Sequence, residues 1–324
     1  MGKKRKSKKK PAKKKSSWLG RLLILGLVIL GVIGSVYYFG SFETRAKMER
    51  LAADGLNEVR TQPQLPGPLA KLLDAAYDQI PTTTGLIVEG GELGRDPDSP
   101  FLAGVPNSRF PIRPLLQSSY VNLFNDRRLQ TACLAVRLKS SNSEKSKTDI
   151  QMPMVDSRAP QLTESAMTAG QWSPKPIIPP KILSEFYGEP GAREAALAGN
   201  HAPMTQPFFE GPWREAIHTF TSRYPARFDE IWLYIGPVYR TDSSKLSSGV
   251  AIPDAFYLVA LDLTDAGGLR ALALLIPTAA ESLDLNQYLT SIRQIENLTG
   301  LQFLPELDYS YQETLSNYVS PTVW

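Results

Sequence analysis

The most regular pattern of apolar positions lies in residues 199–239, around which the rest of the chain is organised. Trp213, Ile217 and Phe220 recur at i, i+4 and i+7, a spacing that predicts a helix with one buried face. Pro212 precedes them, and proline is favoured in the first turn because its missing N–H has no intrahelical partner to lose. The pattern therefore predicts a helix that begins near Pro212.

Four further segments have the alternating or continuous apolar character of β-strands: residues 131–138, 231–235, 248–261 and 270–277. The first alternates and follows an Asn-Asp pair at 125–126, which is typical of a turn. The other three are short apolar runs, as expected of strands in a protein core. We predict that these segments are β-strands.

Polar and apolar residues also alternate at helical spacing in three other segments. They are residues 43–60, residues 69–80 beyond a proline-rich break at 61–68, and residues 285–299, for which Gly300 is the expected C-terminal cap. No internal repeat interrupts the region after residue 82, so we expect one globular domain there.

Residues 22–39 contain no charge and are almost entirely apolar. As a helix, eighteen residues span about 27 Å, which roughly matches the hydrocarbon core of a bilayer. Trp18 and the tyrosines at 37–38 flank the segment as an aromatic belt, and the basic residues before it favour a cytoplasmic N-terminus. A cleavable signal peptide is the alternative, but it requires a shorter apolar region followed by a small-x-small site.

The sequence thus predicts a single-pass protein of the inner, cytoplasmic membrane with its domain on the periplasmic side. The expected parts are a basic cytoplasmic tail at 1–21, a transmembrane helix at 22–39, juxtamembrane helices with a proline-rich stalk at 40–81, and a globular domain at 82–324. The tail would also contact anionic lipid headgroups.

The formal net charge of +4 is the sum of two parts of the chain with opposite charge. Residues 1–21 contain eleven Lys or Arg and no acid, which leaves 36 − 11 = 25 basic against 32 acidic residues, a net of −7. An acidic domain lacks the basic surface expected of a general nucleic-acid binder. The single cysteine, Cys133, excludes an internal disulfide and a cysteine metal cluster, and we expect it to be a buried apolar side chain.

Several motifs resemble those of the DNA/RNA non-specific endonucleases. The resemblance covers residues 104–306 and is carried by 154–158 (Met-Val-Asp-Ser-Arg), 200–203 (Asn-His-Ala-Pro), 208–213 (Phe-Phe-Glu-Gly-Pro-Trp) and 232–238 (Trp-Leu-Tyr-Ile-Gly-Pro-Val). It implies an α+β fold, with a mixed or antiparallel central sheet flanked by helices and a ββα-metal active site.

The resemblance also indicates where the family's catalytic groups would stand. Aligning residues 172–179 with the family's Tyr-Asp-Arg-Gly-His-x-Ala-Pro puts Pro176 at the general-base histidine and Pro174 at the adjacent arginine. Phe209 falls at the asparagine that binds Mg²⁺, and Ile217 at the outer-shell glutamate. Proline has no side-chain base and a phenyl ring cannot ligate Mg²⁺, so these roles are left unfilled.

Two polar positions of the family pattern are retained. Arg158 matches an arginine that faces the phosphate of nucleic acid in active relatives, although a structural Asp156–Arg158 pair is an equal alternative. Asn200 matches the structural or substrate-side asparagine. We treat both as candidate substrate-binding residues.

Other candidates for chemistry are few. The chain has two histidines, His201 and His218, and residues 1–200 contain none. No shift of the alignment can therefore bring a histidine to the position of the family's general base. His201 is a weak candidate for a replacement base, whereas His218 is expected to be a surface or packed residue. Lys175 is a further candidate for phosphate contact. No P-loop, Gly-x-Ser-x-Gly, His-Glu-x-x-His or dinucleotide motif is present.

Two functions follow from this pattern. The first is a membrane-anchored, catalytically inactive endonuclease-like module that needs no cofactor and binds membrane lipid and an envelope protein. The alternative is a Mg²⁺-dependent endonuclease with a rearranged site around Arg158, Asn200 and His201. Binding of nucleic acid without cleavage, through Arg158 and Lys175 or through the basic tail, is a third hypothesis.

Overall fold

A computed structural model describes residues 86–89, 99–139, 153–240, 242–264 and 267–324, with scattered positions between 31 and 73. The basic tail predicted at 1–21 lies outside these residues, as does most of the membrane helix predicted at 22–39, of which 31–36 and 38–39 are described and helical. In the described part of the chain, no helix combines the length and apolar character that crossing a bilayer requires.

The helices predicted at 43–60 and 69–80 also fall largely outside the described residues, as does the proline-rich break between them. The few positions described within the two predicted helices, such as Met48 and Leu72, are helical. Both predictions therefore stay predictions over most of their length.

The described residues contain twelve strands and four main helices. The strands are β1 (Val88–Glu89), β2 (Asn107–Ser108), β3 (Arg113–Leu116), β4 (Val121–Asn125), β5 (Gln130–Lys139), β6 (Ser173–Pro176), β7 (His201–Met204), β8 (Glu230–Val238), β9 (Ala255–Leu263), β10 (Gly268–Pro277), β11 (Leu289–Thr290) and β12 (Leu301–Gln302). The helices are α1 (Pro180–Ala195), a helical run at residues 206–228 termed α2, α3 (Ile292–Thr299) and α4 (Tyr309–Asn317).

Eight of the strands form one sheet in the order β1-β10-β9-β8-β5-β4-β3, with β11 also paired to β10. Each of its ladders is antiparallel. Two-stranded pairs, β6–β7 and β2–β12, lie outside this sheet. The predicted α+β architecture with a central sheet flanked by helices is confirmed, and the sheet is antiparallel rather than mixed.

Both faces of the central strands are buried, which accounts for their continuous apolar sequences. Along β5, Leu134, Val136 and Leu138 pack with side chains of α1 and α2 on one face. Cys133 and Ala135 point to the other face, where α3 and α4 complete a second core. The predicted burial of Cys133 is confirmed, and three predicted strands (131–138, 231–235 and 270–277) lie within β5, β8 and β10.

The helix predicted to begin at Pro212 begins instead at Gln206. The hydroxyl of Thr205 caps it by accepting from Phe208 N, and a proline already lies in its first turn. Pro212 lies inside the run, in the π-helical stretch Phe209–Trp213, where Gly211 has non-helical φ and ψ. Because an interior proline loses one helical hydrogen bond and clashes with the preceding turn, the wider π-turn accommodates it.

The rest of α2 alternates between helix types: α-helical Gln206–Phe208, π-helical Phe209–Trp213, α-helical Arg214–His218, π-helical Thr219–Arg223 and α-helical Tyr224–Phe228. The predicted inward face is confirmed, because the side chains spaced along it at 213, 217 and 220 are at most 2 % exposed.

Two other predicted bounds are wrong. The strand expected at 248–261 begins only at Ala255, because Pro253 has no N–H to donate to a ladder. The helix expected at 285–299 is divided into a 3₁₀ turn, the strand β11 and α3, since Ser291 caps a new helix by accepting from Gln294 N. Gly300 ends α3 with φ 72°, so its predicted role as the C-terminal cap is confirmed.

Candidate functional site

The strands β6 and β7 and the start of α2 form one compact unit, which carries most of the candidate residues. The two strands are antiparallel, with Pro176 directly opposite His201 and Lys175 opposite Ala202. The indole N–H of Trp213 in α2 donates to the Ile177 carbonyl at 3.1 Å, which ties the helix to the end of β6. A ββα arrangement results, and we call it the β6–β7–α2 unit.

Pro176 and His201 are neighbours across the two strands. Pro176 is buried, and its ring offers no group that can exchange a proton. His201 is 1 % exposed; its Nδ1 donates to the Leu197 carbonyl at 3.0 Å, and its Nε2 has no hydrogen-bond partner among the described residues. Burial lowers the pKa of His201 to about 4, against the opposing effect of the Leu197 carbonyl, so the ring is neutral near pH 7.

Asn200 lies at the base of β7 and is completely buried. Its Oδ1 accepts from Ile178 N at 3.1 Å, and its Nδ2 donates to the carbonyls of Ile178 (2.7 Å) and Ala195 (2.6 Å). The Asn200 backbone carbonyl also accepts from Ile177 N at 2.7 Å. The side-chain amide therefore joins α1 to the residues after β6, and each of its polar atoms is bonded to backbone.

Phe209 and Lys175 contact each other where the resemblance implies a metal ligand. The Nζ of Lys175 lies 5.5 Å from the centre of the Phe209 ring, within the range of a cation–π interaction. The ring is half-buried and packs against the core on its inner side. An ammonium group thus lies over the ring of a residue that is partly accessible.

These residues do not fit a Mg²⁺ ion. Magnesium requires oxygen ligands in near-octahedral geometry, whereas Phe209 has no lone pair and the Lys175 ammonium repels a second cation. Ile217, at the position of the outer-shell acid, is 2 % exposed within the core. In the described part of the chain, no group of three or more His, Cys, Asp or Glu side chains is placed to hold a metal ion.

Arg158 lies beside β3. Its Nε and Nη2 donate to the two carboxylate oxygens of Asp156 at 2.9 and 2.8 Å, and its Nη1 donates to the Leu116 carbonyl at 2.9 Å. The hydrogen bonds from Arg158 lower the pKa of Asp156 despite its burial. The paired geometry corresponds to the structural alternative for Arg158, and about a third of its side chain remains exposed.

A carboxylate cradle next to this unit could not be foreseen from the sequence. Both oxygens of Glu194, near the end of α1, accept hydrogen bonds from the backbone N–H and hydroxyl groups of Ser118 and Ser119. Burial raises the pKa of Glu194, but the hydrogen bonds from Ser119 and Ser118 together lower it more. The cradle fixes α1 against the β3–β4 turn, and the two adjacent serines are its only signal in the sequence.

Comparison with known proteins finds relatives that are similar in sequence and a solved structure that is similar in fold. Residues 184–310 match the family model described as DNA/RNA non-specific endonuclease. The mitochondrial nuclease EXOG of Mus musculus is 28 % identical over 174 residues, covering 49 % of this chain and 46 % of that protein. The Homo sapiens protein is 26 % identical over 174 residues, covering 43 % and 47 %. The chain therefore spans about half the length of these relatives.

A chain from the crystal structure of the EndoG/EndoGI complex, which addresses EndoG inhibition, has a similar fold. Its TM-score is 0.53 at 17 % identity, and the match covers 64 % of this chain and 90 % of that chain. At this identity the likeness concerns the fold alone. The family model over residues 184–310 and the two nucleases show that the chain is similar in sequence to the DNA/RNA non-specific endonucleases, and this structure shows a similar fold.

Proposed function

We propose that this protein is a membrane-anchored, catalytically inactive member of the family, whose domain acts as a binding or structural module in the cell envelope. One observation carries the proposal: the Lys175 ammonium lies over the ring of Phe209, the residue that the resemblance aligns with the family's Mg²⁺ ligand. Pro176, at the position of the general base, supports it further.

The expected loss of rate follows from the two missing functions. General-base catalysis contributes roughly 10²–10⁴-fold, and a metal ion that polarises the phosphate contributes several kcal/mol of transition-state stabilisation. Because each 1.36 kcal/mol is tenfold in rate, loss of both removes on the order of 10⁴-fold or more. The two polar residues retained from the family pattern already have hydrogen-bond partners within the domain. Arg158 pairs with Asp156, and the side-chain amide of Asn200 bonds only to backbone groups.

A plasmid-degradation assay tests the inactive state. The full-length chain, purified in a non-ionic detergent, is incubated with supercoiled DNA and with RNA in Mg²⁺, in Mn²⁺ and in EDTA. We expect no cleavage above the level of a mock purification. Metal-dependent cleavage that falls at least tenfold in His201→Gln, but not in His218→Gln, would contradict the proposal and support the rearranged Mg²⁺-dependent endonuclease.

Membrane anchoring rests on the uncharged residues 22–39 and the basic residues before them. In this topology the tail at 1–21 contacts cytoplasmic lipid headgroups, and the domain at 82–324 meets an envelope protein on the other side. We expect the full-length chain to stay in membranes washed with alkaline carbonate, and a chain lacking residues 1–39 to be released. Recovery of the full-length chain in the soluble fraction would refute the anchor.

The same preparation separates an anchor from a signal peptide. An uncleaved anchor gives an intact mass that includes residues 1–39, whereas cleavage would remove them from the mature protein. Binding of nucleic acid is less well supported, because the chain beyond residue 21 carries a net charge of −7. A gel shift that persists after removal of residues 1–21 would show that the domain itself binds.

A further inference from the structure

A cavity of about 230 Å³ lies between the β4–β5 turn, the end of β8 and the C-terminal end of α3. No residue of the β6–β7–α2 unit lines it, so it is separate from the candidate site in that unit. Its volume is just below the roughly 300–1,000 Å³ of sites for drug-sized ligands. The cavity therefore suits a small molecule or one end of a longer ligand.

The charge of the lining is one-sided. Arg109 and Arg128 both line the cavity, and none of the described residues that line it is acidic. Outside the lining, the charge of Glu296 interacts with that of Arg109. Neither guanidinium forms an ion pair within the described chain. Arg128 lies over the ring of Tyr239, with Cζ 4.8 Å from the ring centre, which fixes its position at the cavity wall. Guanidinium groups match the oxygen geometry of phosphate and carboxylate.

Tyr239 lines the cavity and lies beneath Arg128. Its side chain is only 9 % exposed, and its hydroxyl has no hydrogen-bond partner among the described residues. Burial raises the pKa of Tyr239 well above its ordinary value, so the hydroxyl keeps its proton. The hydroxyl is enclosed by protein, so a ligand in the cavity would contact the guanidinium that covers the Tyr239 ring rather than this hydroxyl.

The rest of the cavity wall includes apolar side chains and the carbonyl end of α3, which repels an anion weakly. Phe110 is 47 % exposed and Leu298 is half-buried, so the cavity has an apolar side. The carbonyl end of α3 also borders it and carries the equivalent of about half a negative charge. Two full positive charges outweigh this contribution, and the Gly300 carbonyl is already bonded to Arg109 N at 2.9 Å.

We propose that this cavity binds a small organic oxyanion, whose phosphate or carboxylate contacts Arg109 and Arg128 while its apolar part packs against Phe110. The site does not depend on the β6–β7–α2 unit, and it requires no metal ion. It gives the domain a ligand-binding capacity that is distinct from phosphodiester cleavage.

Isothermal titration calorimetry of the full-length chain in non-ionic detergent tests the proposal. The probes are phenyl phosphate, benzoate and the neutral benzyl alcohol, each in a buffer with EDTA and about 0.15 M salt. The variants are Arg109→Met and Arg128→Met, with Arg127→Met as the control. Arg127 is exposed on the same turn but does not line the cavity.

We expect saturable binding of phenyl phosphate or benzoate, and the tighter of the two identifies the preferred anion. Affinity should fall at least tenfold in Arg109→Met and Arg128→Met, which corresponds to about 1.4 kcal/mol, and should be unchanged in Arg127→Met. Arg109→Met is the safer variant, since the side chain is exposed and the structural bond of Arg109 is made by its backbone.

The basic residues of the N-terminal tail bind anions nonspecifically, so the comparison between variants decides the outcome. Equal affinities in Arg109→Met and Arg127→Met would overturn the proposal, because the binding would then belong to the tail or the general surface. Binding of benzyl alcohol as tight as that of the charged probes would overturn it too, as would the absence of saturable binding by both charged probes.

Discussion

Replacing Asn200 by alanine should destabilise the domain strongly, whatever its effect on ligand binding. The substitution leaves three backbone groups without their partner: Ile178 N–H, the Ile178 carbonyl and the Ala195 carbonyl. Each buried polar group left unpaired costs about 1–3 kcal/mol. Carbonyls tolerate a lost partner better than N–H groups do, so we expect a total of about 4 kcal/mol.

This magnitude is large enough to measure by thermal unfolding. For a domain of roughly 240 residues, each kcal/mol lowers Tm by about 2–4 °C, so Asn200→Ala should melt about 8–16 °C below the wild type. Circular dichroism melts of the full-length chain provide the measurement. Asn107→Ala is the matched control, because Asn107 is exposed on β2 and its Tm should change little.

The result also separates two roles for Asn200. If its amide served a substrate, as the resemblance implies, the alanine variant would lose ligand binding while its Tm stayed near that of the wild type. A Tm for Asn200→Ala within about 2 °C of the wild-type value would refute the structural role that its three hydrogen bonds indicate.

Three further predictions concern other parts of the same framework. Glu194→Gln should lower stability by about 1 kcal/mol at pH 7, since hydrogen bonds to a charged, partly exposed carboxylate are lost. The pKa of Glu194 is lower in the folded than in the unfolded chain, so the carboxylate stabilises the fold fully at pH values above 4.5, the ordinary pKa of a glutamate. This stabilisation disappears as the pH falls through the folded pKa. Urea unfolding of the wild type and the variant from pH 7 to pH 3 measures the difference. Gly236→Ala should destabilise by roughly 1–3 kcal/mol, because a Cβ there would overlap the Ala132 carbonyl oxygen in the neighbouring strand; chemical denaturation provides the measurement. His201 should stay neutral down to about pH 4 and oppose folding in acid, since the unfolded chain binds a proton already near pH 6.5; NMR of labelled histidines follows its titration, with His218→Gln assigning the signal.

Each of these predictions has a contrary result. A Glu194→Gln difference that stays constant down to pH 3 would show that the carboxylate charge is not what the cradle stabilises. Wild-type stability in Gly236→Ala would mean that the two strands lie farther apart than described. A titration of His201 near pH 6.5 would place its ring in contact with water.

Three long core strands, β5, β8 and β10, could be predicted because their signal is local. The apolar runs at 231–235 and 270–277 are buried on both faces, and a short continuous apolar run is typical of a strand in the interior of a covered sheet. The start of α2 could not be predicted in this way. Its true cap is Thr205, and a π-turn that accommodates Pro212 depends on packing rather than on residue type.

In the candidate site, too, some features could be inferred from the sequence and others could not. The resemblance located Pro176 and Phe209 from motif spacing alone. The contact of Lys175 with Phe209, the cross-strand pairing of His201 with Pro176, and the bonds of Asn200 all join segments that are distant in sequence. Composition and periodicity carry no information on such contacts, so the structure was needed to find them.

The two margins of the large sheet limit how a protein partner can attach. At one margin, β3 is only four residues long and includes Pro114, which has no N–H to offer an incoming chain. At the other, short β1 and β11 already occupy part of β10. An extended peptide therefore finds little unpaired backbone along the large sheet. The proposed envelope partner would have to contact other parts of the domain, which crosslinking can locate.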